Sequence, residues 1–185
     1  MAQMSDPAFA PDSCHDVAIV GLGPVGATLA NLLSLRGLTV LVLEREADIY
    51  GLPRAVHFDG EVMRVFQPLG LADTLLPDLI VSPGMKFVNA SGQVLIDCSR
   101  PQDPGPQGWH VSYRFHQPTL EYALRERLAA QPKAIVRLRH EVLAIRQLAD
   151  RIDLHVKERR GAGLLKTSAR YVVGCDGARS LVRQA

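Results

Sequence analysis

Cysteine is scarce in this chain of 185 residues. The three, Cys14, Cys98 and Cys175, form no CxxC pair and leave one over, which argues against a disulfide framework or a zinc site and fits reduced thiols in a cytoplasm. An excess of one charge is missing too. The 21 Lys and Arg face 19 Asp and Glu for a net charge of +2, so charge implies no nucleic-acid partner and any binding must be local. No Lys or Arg precedes Arg36, so the charged start of an export signal is lacking, and residues 1–15 read as a flexible, polar, Pro-containing arm. What the chain does have is ordinary: 47% hydrophobic and 22% charged residues, the usage of a folded domain, at a length that suits one domain or one plus a fragment.

Val17 to Leu35 carries no charge and is nearly long enough to cross a bilayer, so a transmembrane helix is the rival reading there. Glycines, Pro24, Thr28, Asn31 and Ser34 interrupt it, and its period changes midway, which predicts two elements and no membrane span. Val17-Ala18-Ile19-Val20 has the character of a buried parallel strand that feeds into Gly21-Leu22-Gly23-Pro24-Val25-Gly26. Val25, Leu29, Leu32 and Leu33 then predict a helix with one apolar face, closed by Gly37 in a left-handed cap. Leu38 to Leu43 predicts the next buried strand, ending in Glu44.

A β-α-β unit with these residues is suited to a dinucleotide. Gly21 permits the tight turn, Gly23 lets a pyrophosphate approach the backbone, Gly26 allows close helix-to-strand packing, and Pro24 opens the helix whose N–H groups and dipole attract phosphate. Glu44 stands 23 residues after Gly21, where an acid can accept hydrogen bonds from a ribose hydroxyl. The plain alternative is a glycine turn with a surface glutamate.

An NAD-dependent dehydrogenase would continue with further βα units, yet Glu44 is followed by Arg45-Glu46-Ala47-Asp48 and Tyr50-Gly51-Leu52-Pro53-Arg54-Ala55. With the glycine fingerprint, Pro53 to Glu61 resembles the class A flavoprotein aromatic hydroxylases of the p-hydroxybenzoate hydroxylase type, in particular those acting on 3-(3-hydroxyphenyl)propionate and 3-hydroxycinnamate. Tyr171-Val172-Val173-Gly174-Cys175-Asp176-Gly177 looks like that family's Asp-Gly motif.

The resemblance implies an α/β, Rossmann-like FAD-binding fold of the glutathione-reductase type with an added β-meander, over residues 16–185. It also implies FAD as cofactor, NADH or NADPH as reductant, and ortho-hydroxylation of a small aromatic substrate with O2, in a cytoplasmic enzyme that can be a homo-oligomer. Cofactor contacts carry over to Arg45, Arg54, Gln117, Val142 (through its backbone, near adenine), Asp176 and Gly177, and Arg179 is a weaker candidate. Gln117 can equally cap a helix, and Asp176 can be a turn and cap residue. His57 and Asp59 are candidates for contact with a phenol, with the alternatives that they are structural or that Asp59 caps the next helix. The resemblance covers less than half of the family's length, so the substrate-covering sheet and the second, Gly-Asp FAD motif are expected to be absent. Open alternatives are a non-catalytic dinucleotide-binding fragment, a related FAD epoxidase or reductase, and an NAD-dependent dehydrogenase.

The rest predicts scaffold. A helix is expected from Glu61 to Leu69, a hairpin around Ser91-Gly92, an exposed loop over residues 99–112, a helix after Pro118, and strands at Ile135–Leu138, Val142–Ile145 and Ile152–Val156.

Overall fold

The computed structural model describes residues 6–10, 13–161 and 163–185. Its elements run β1 (Cys14–Val20), α1 (Pro24–Leu35), β2 (Val40–Glu44), β3 (His57–Asp59), α2 (Gly60–Phe66), α3 (Ala72–Leu75), β4 (Ile80–Val81), β5 (Gly84–Val88), β6 (Val94–Ser99), β7 (Ser112–Arg114), α4 (Gln117–Ala129), β8 (Ala134–Leu138), β9 (His140–Gln147), β10 (Ile152–Glu158) and β11 (Leu164–Gly174), with short 3-10 turns before, between and after them. Contacts divide the chain into two compact units, Met1–Ile49 with Leu124–Ala185, and Tyr50–Ala123.

The first unit is a six-stranded sheet in the order β8-β2-β1-β11-β10-β9. β1 pairs in parallel with β2 on one side and with β11 on the other, and β8 pairs in parallel with β2. β9, β10 and β11 form the antiparallel meander, so the sheet is the mixed α/β arrangement that the sequence implies. Its core gathers Ala18, Val20, Leu41, Leu43, Val142, Leu154, Val156 and Ala169, all buried. Val40 to Leu43 are at most 1% exposed, as expected of a strand inside a parallel sheet.

The Val17–Leu35 segment is a strand end, a glycine turn and a helix of 12 residues, and no helix among the described residues is long and apolar enough to cross a membrane. The face that α1 buries differs from the sequence expectation. Val25 is 71% exposed, and the buried positions are Gly26, Ala27, Ala30, Asn31 and Ser34. The reason is distance: a Cβ at Gly26 would lie 2.1 Å from the Gly21 carbonyl oxygen, so the helix lies too close to its strand for large side chains on that face. Gly37 takes the expected left-handed conformation at φ 82°, its N–H donating to the Ser34 carbonyl.

Within the expected arm, residues 1–5, 11 and 12 lie outside the described residues, whereas Asp6 to Ala10 are fastened to the sheet. Ala8 is fully buried, its carbonyl accepts from the Thr167 hydroxyl at 2.8 Å, Asp6 pairs with Arg137, and Phe9 stacks on His140. After Asp176-Gly177 the chain forms a 3-10 turn at Val182–Gln184.

The second unit holds a three-stranded sheet, β3-β7-β4, and the hairpin β5-β6. Phe58, Phe66, Tyr113 and Phe115 cluster around the former. In the two strands of the hairpin, every residue but Gly84 is exposed.

Candidate functional site

The first unit brings the glycine loop, Glu44 and the Asp-Gly turn together at the C-terminal ends of β1, β2 and β11, where open α/β sheets bind ligands. Gly21 has φ 102°, and a Cβ there would lie 2.4 Å from the Cys175 carbonyl oxygen, so a side chain is excluded on two counts. Its N–H donates to the Leu43 carbonyl at 2.8 Å, and the Cys175 N–H donates to the Val20 carbonyl at 2.8 Å, which ties the loop to both neighbouring strands.

Glu44 is built into this turn. Its Oε2 accepts from the Leu22 N–H at 2.7 Å and its Oε1 from the Glu46 N–H at 2.8 Å. Two oxygens offer about four acceptor positions, so capacity remains for a hydroxyl group. From the other side Arg125, on α4, donates through Nη2 to the Leu22 carbonyl at 3.2 Å. Leu22 itself is 1% exposed. Sequence reading missed Arg125; the available signal was that it adjoins Leu124, in the buried Leu120, Leu124, Leu128 stripe.

Gly23 is the N-cap of α1, in extended conformation, and no side chain caps the helix or places an acid in its first turn. A Cβ at Gly23 would meet nothing within 4 Å. An uncapped helix start in front of open space is an anion site in outline, because first-turn N–H groups and the dipole are left for a ligand.

Asp176 accepts through Oδ2 from the Leu181 N–H at 2.7 Å and the Val182 N–H at 3.3 Å, the turn role that sequence left open. Its Oδ1 is buried and accepts no hydrogen bond. Burial alone would raise its pKa, but the Ser180 hydroxyl and the amides of Val182 and Leu181 outweigh burial and hold the carboxyl below its ordinary value, so it is ionised at neutral pH. A buried, ionised oxygen without a donor fits a cofactor hydroxyl. Gly177 is left-handed at φ 80°.

Val142 is 7% exposed in the core, and Arg45, exposed, pairs with Glu46 at 3.2 Å. Glu46 also pairs with Arg159 at 3.2 Å.

Within the second unit Gln117 is buried, and its Oε1 accepts from the N–H groups of Arg54 and Ala55, each at 2.8 Å, while its Nε2 donates to Glu121 at 2.7 Å. Gln117 therefore fixes the backbone of the arginine turn. The Arg54 guanidinium lies 5.3 Å from the Tyr50 ring centroid. Asp59 caps α2 by accepting from the Val62 N–H at 3.1 Å, and an exposed His57 places Nε2 2.6 Å from the buried Ser112 hydroxyl.

A cleft of about 620 Å³ lies elsewhere, beside Phe9, Cys14, Arg151, Asp153 and Lys166 at the start of β1. Asp153 is neutralised there by Lys166 at 2.9 Å and Arg151 at 3.3 Å.

Known proteins resemble this chain in sequence and in fold. A family model described as an FAD binding domain matches residues 14–185. This chain belongs to the FAD binding domain family. It is 41% identical over its full length to the "Probable NADH-specific resorcinol 4-hydroxylase" of Rhodococcus jostii (strain RHA1), of which it covers 34%. It is 40% identical over 91% of its length to the "3-(3-hydroxy-phenyl)propionate/3-hydroxycinnamic acid hydroxylase" of Burkholderia cenocepacia (strain HI2424), covering 30% of that protein. The chain thus spans about a third of the length of the curated relatives it matches. Among solved structures, the p-nitrophenol 4-monooxygenase PnpA of Pseudomonas putida DLL-E4 superposes with TM-score 0.80 at 27% identity, over 92% of this chain and 42% of that one. The flavin-dependent monooxygenase PieE, solved with FAD and substrate, superposes with TM-score 0.82 at 26% identity, over 95% and 32%. The family gives the chain FAD as its cofactor, and the glycine loop, Glu44 and Asp176 have the chemistry to hold phosphate and hydroxyl groups.

Proposed function

We propose that this FAD binding domain serves a monooxygenase that hydroxylates a phenolic aromatic acid or diol beside its hydroxyl group, with NADH as reductant. The observation that carries the reading is the uncapped start of α1, open in front of Gly23 and flanked by Glu44 and the unpartnered Asp176 Oδ1. The names of the Rhodococcus and Burkholderia relatives supply the phenolic substrate class, and the first of them supplies NADH. In the overall reaction the phenol, O2, NADH and a proton become the hydroxylated phenol, NAD+ and water. FAD, when bound, supplies the oxygen and hydride chemistry.

The residues of this chain bind and orient. The helix N-terminus takes the pyrophosphate, Glu44 accepts from a ribose hydroxyl, and Asp176 Oδ1 accepts from another hydroxyl of the cofactor. Gly21 and Gly26 have no ligand contact in this account and set the backbone that makes the others converge.

Titration of the 185-residue chain with FAD, followed by flavin fluorescence with NAD as competitor, tests the reading. Saturable binding, tighter for FAD than NAD and weakened about tenfold by Glu44→Ala, is expected, the loss being that of one charge-assisted hydrogen bond. Tighter NAD than FAD binding would favour a dehydrogenase, and NADH oxidation by the full-length protein that no phenol stimulates would remove the hydroxylase.

A further inference from the structure

The backbone of Leu22, in the middle of the glycine loop, is held at its N–H and at its carbonyl by side chains from outside the loop. Glu44 takes its N–H at 2.7 Å and Arg125 gives to its carbonyl at 3.2 Å across 103 residues of sequence. These two side chains carry opposite charges. A carboxylate beside the loop opposes the arrival of an anionic phosphate pair, and the segment Val17 to Leu35 has no cation of its own to offset it. The first turn of α1 likewise offers only backbone N–H groups. Arg125 brings a permanent positive charge to the carbonyl immediately preceding Gly23, the residue whose missing side chain leaves the approach open. Its side chain is half-buried, so its field is less screened than that of a surface arginine.

We propose that Arg125 is a positioning residue for the pyrophosphate of the bound dinucleotide: it fixes the Leu22 carbonyl, and with it the plane of the following peptide, and it offsets the charge of Glu44 at the phosphate approach. The inference rests on the FAD reading above and adds to it a residue outside the glycine fingerprint. It divides the labour by charge. Glu44 serves the ribose, Arg125 serves the phosphates, and Leu22 is the residue whose backbone both hold.

Competition of ADP and of adenosine against FAD on the 185-residue chain separates this role from a general one in folding. With Arg125→Gln, ADP affinity falls about tenfold, the size of one lost interaction with a charged group, while adenosine affinity stays within about twofold. Arg125→Lys, which keeps the charge on a flexible stem, recovers most of the ADP affinity. The wild-type ADP affinity declines with added salt more steeply than that of Arg125→Gln. Equal losses for ADP and adenosine, or no loss for either, would overturn the proposal while leaving FAD binding in place. Failure of the wild-type chain to bind FAD and ADP at all would remove the FAD reading itself. Should Arg125→Gln fail to fold, Arg125→Lys carries the test: ADP affinity within about threefold of wild type supports the role of charge, and a loss as large as tenfold contradicts it.

Discussion

Strand β2 and hairpin strand β6 are built from the same kinds of residue and meet opposite fates. Val40-Leu41-Val42-Leu43 are at most 1% exposed, whereas Val94, Leu95 and Ile96 are 49%, 62% and 54% exposed. The difference lies in neighbours. β2 has a parallel partner on each side, in β1 and β8, while β5 and β6 pair only with one another. Met85 faces Cys98 and Phe87 faces Ile96 across the hairpin, so one face is apolar, and Lys86 with Asp97 at 3.0 Å marks the other as polar. Apolar residues make a strand; only a second layer makes a core.

Leu41→Ala against Ile96→Ala breaks or sharpens this comparison most strongly. In chemical denaturation Leu41→Ala is expected to lose about 3 kcal/mol, because Leu41 is fully buried and leaves a cavity, and Ile96→Ala less than about 0.5 kcal/mol. Comparable losses would mean that the hairpin face is covered.

The two units also differ in how they cap helices. α2 begins at Asp59, whose carboxylate satisfies the Val62 N–H, so Asp59→Ala should lower stability by about 1 kcal/mol in the same assay. α1 begins at Gly23 with no side-chain cap, which leaves its first N–H groups without a side-chain acceptor.

Acid has the smallest effect. Burial opposes ionisation of Asp176, but the hydroxyl of Ser180 and the amides of Val182 and Leu181 lower its pKa, and the Arg137 hydrogen bond lowers that of Asp6. Both carboxyls therefore contribute stability that is present above their unfolded pKa and is lost as pH falls through the lower folded value. Denaturation midpoints should hold between about pH 5 and 7 and decline below about pH 4, less steeply in Asp6→Asn. An unchanged slope in that variant would deny the Asp6–Arg137 pair its role.

Much of the first unit was legible in sequence because its signals are local. The glycine spacing, the apolar runs and the acid at position 44 each reflect contacts between neighbours in one β-α-β unit, and the structure brings them together at one end of the sheet. The buried face of α1 was misread because leucine periodicity records hydrophobicity, while the packing distance is set by Gly26 against the Gly21 carbonyl. Arg125 was missed for a different reason: the leucine stripe beside it marks a buried helix face, but its partner is 103 residues away and no local pattern encodes that bond. Gln117 lay between these cases. Its place at the helix entrance was read from Pro118, but its bonds to the Arg54 and Ala55 amides needed the fold.

Gly23→Ser tests the central claim, that the bare start of α1 is kept for phosphate. Serine suits the extended N-cap conformation and its Cβ would meet nothing within 4 Å, so the unliganded chain should keep its denaturation midpoint or gain a few tenths of a kcal/mol. The serine hydroxyl then occupies the N–H groups that the cofactor needs, and FAD affinity should fall about tenfold or more. Undiminished FAD affinity in a folded Gly23→Ser chain would contradict the account.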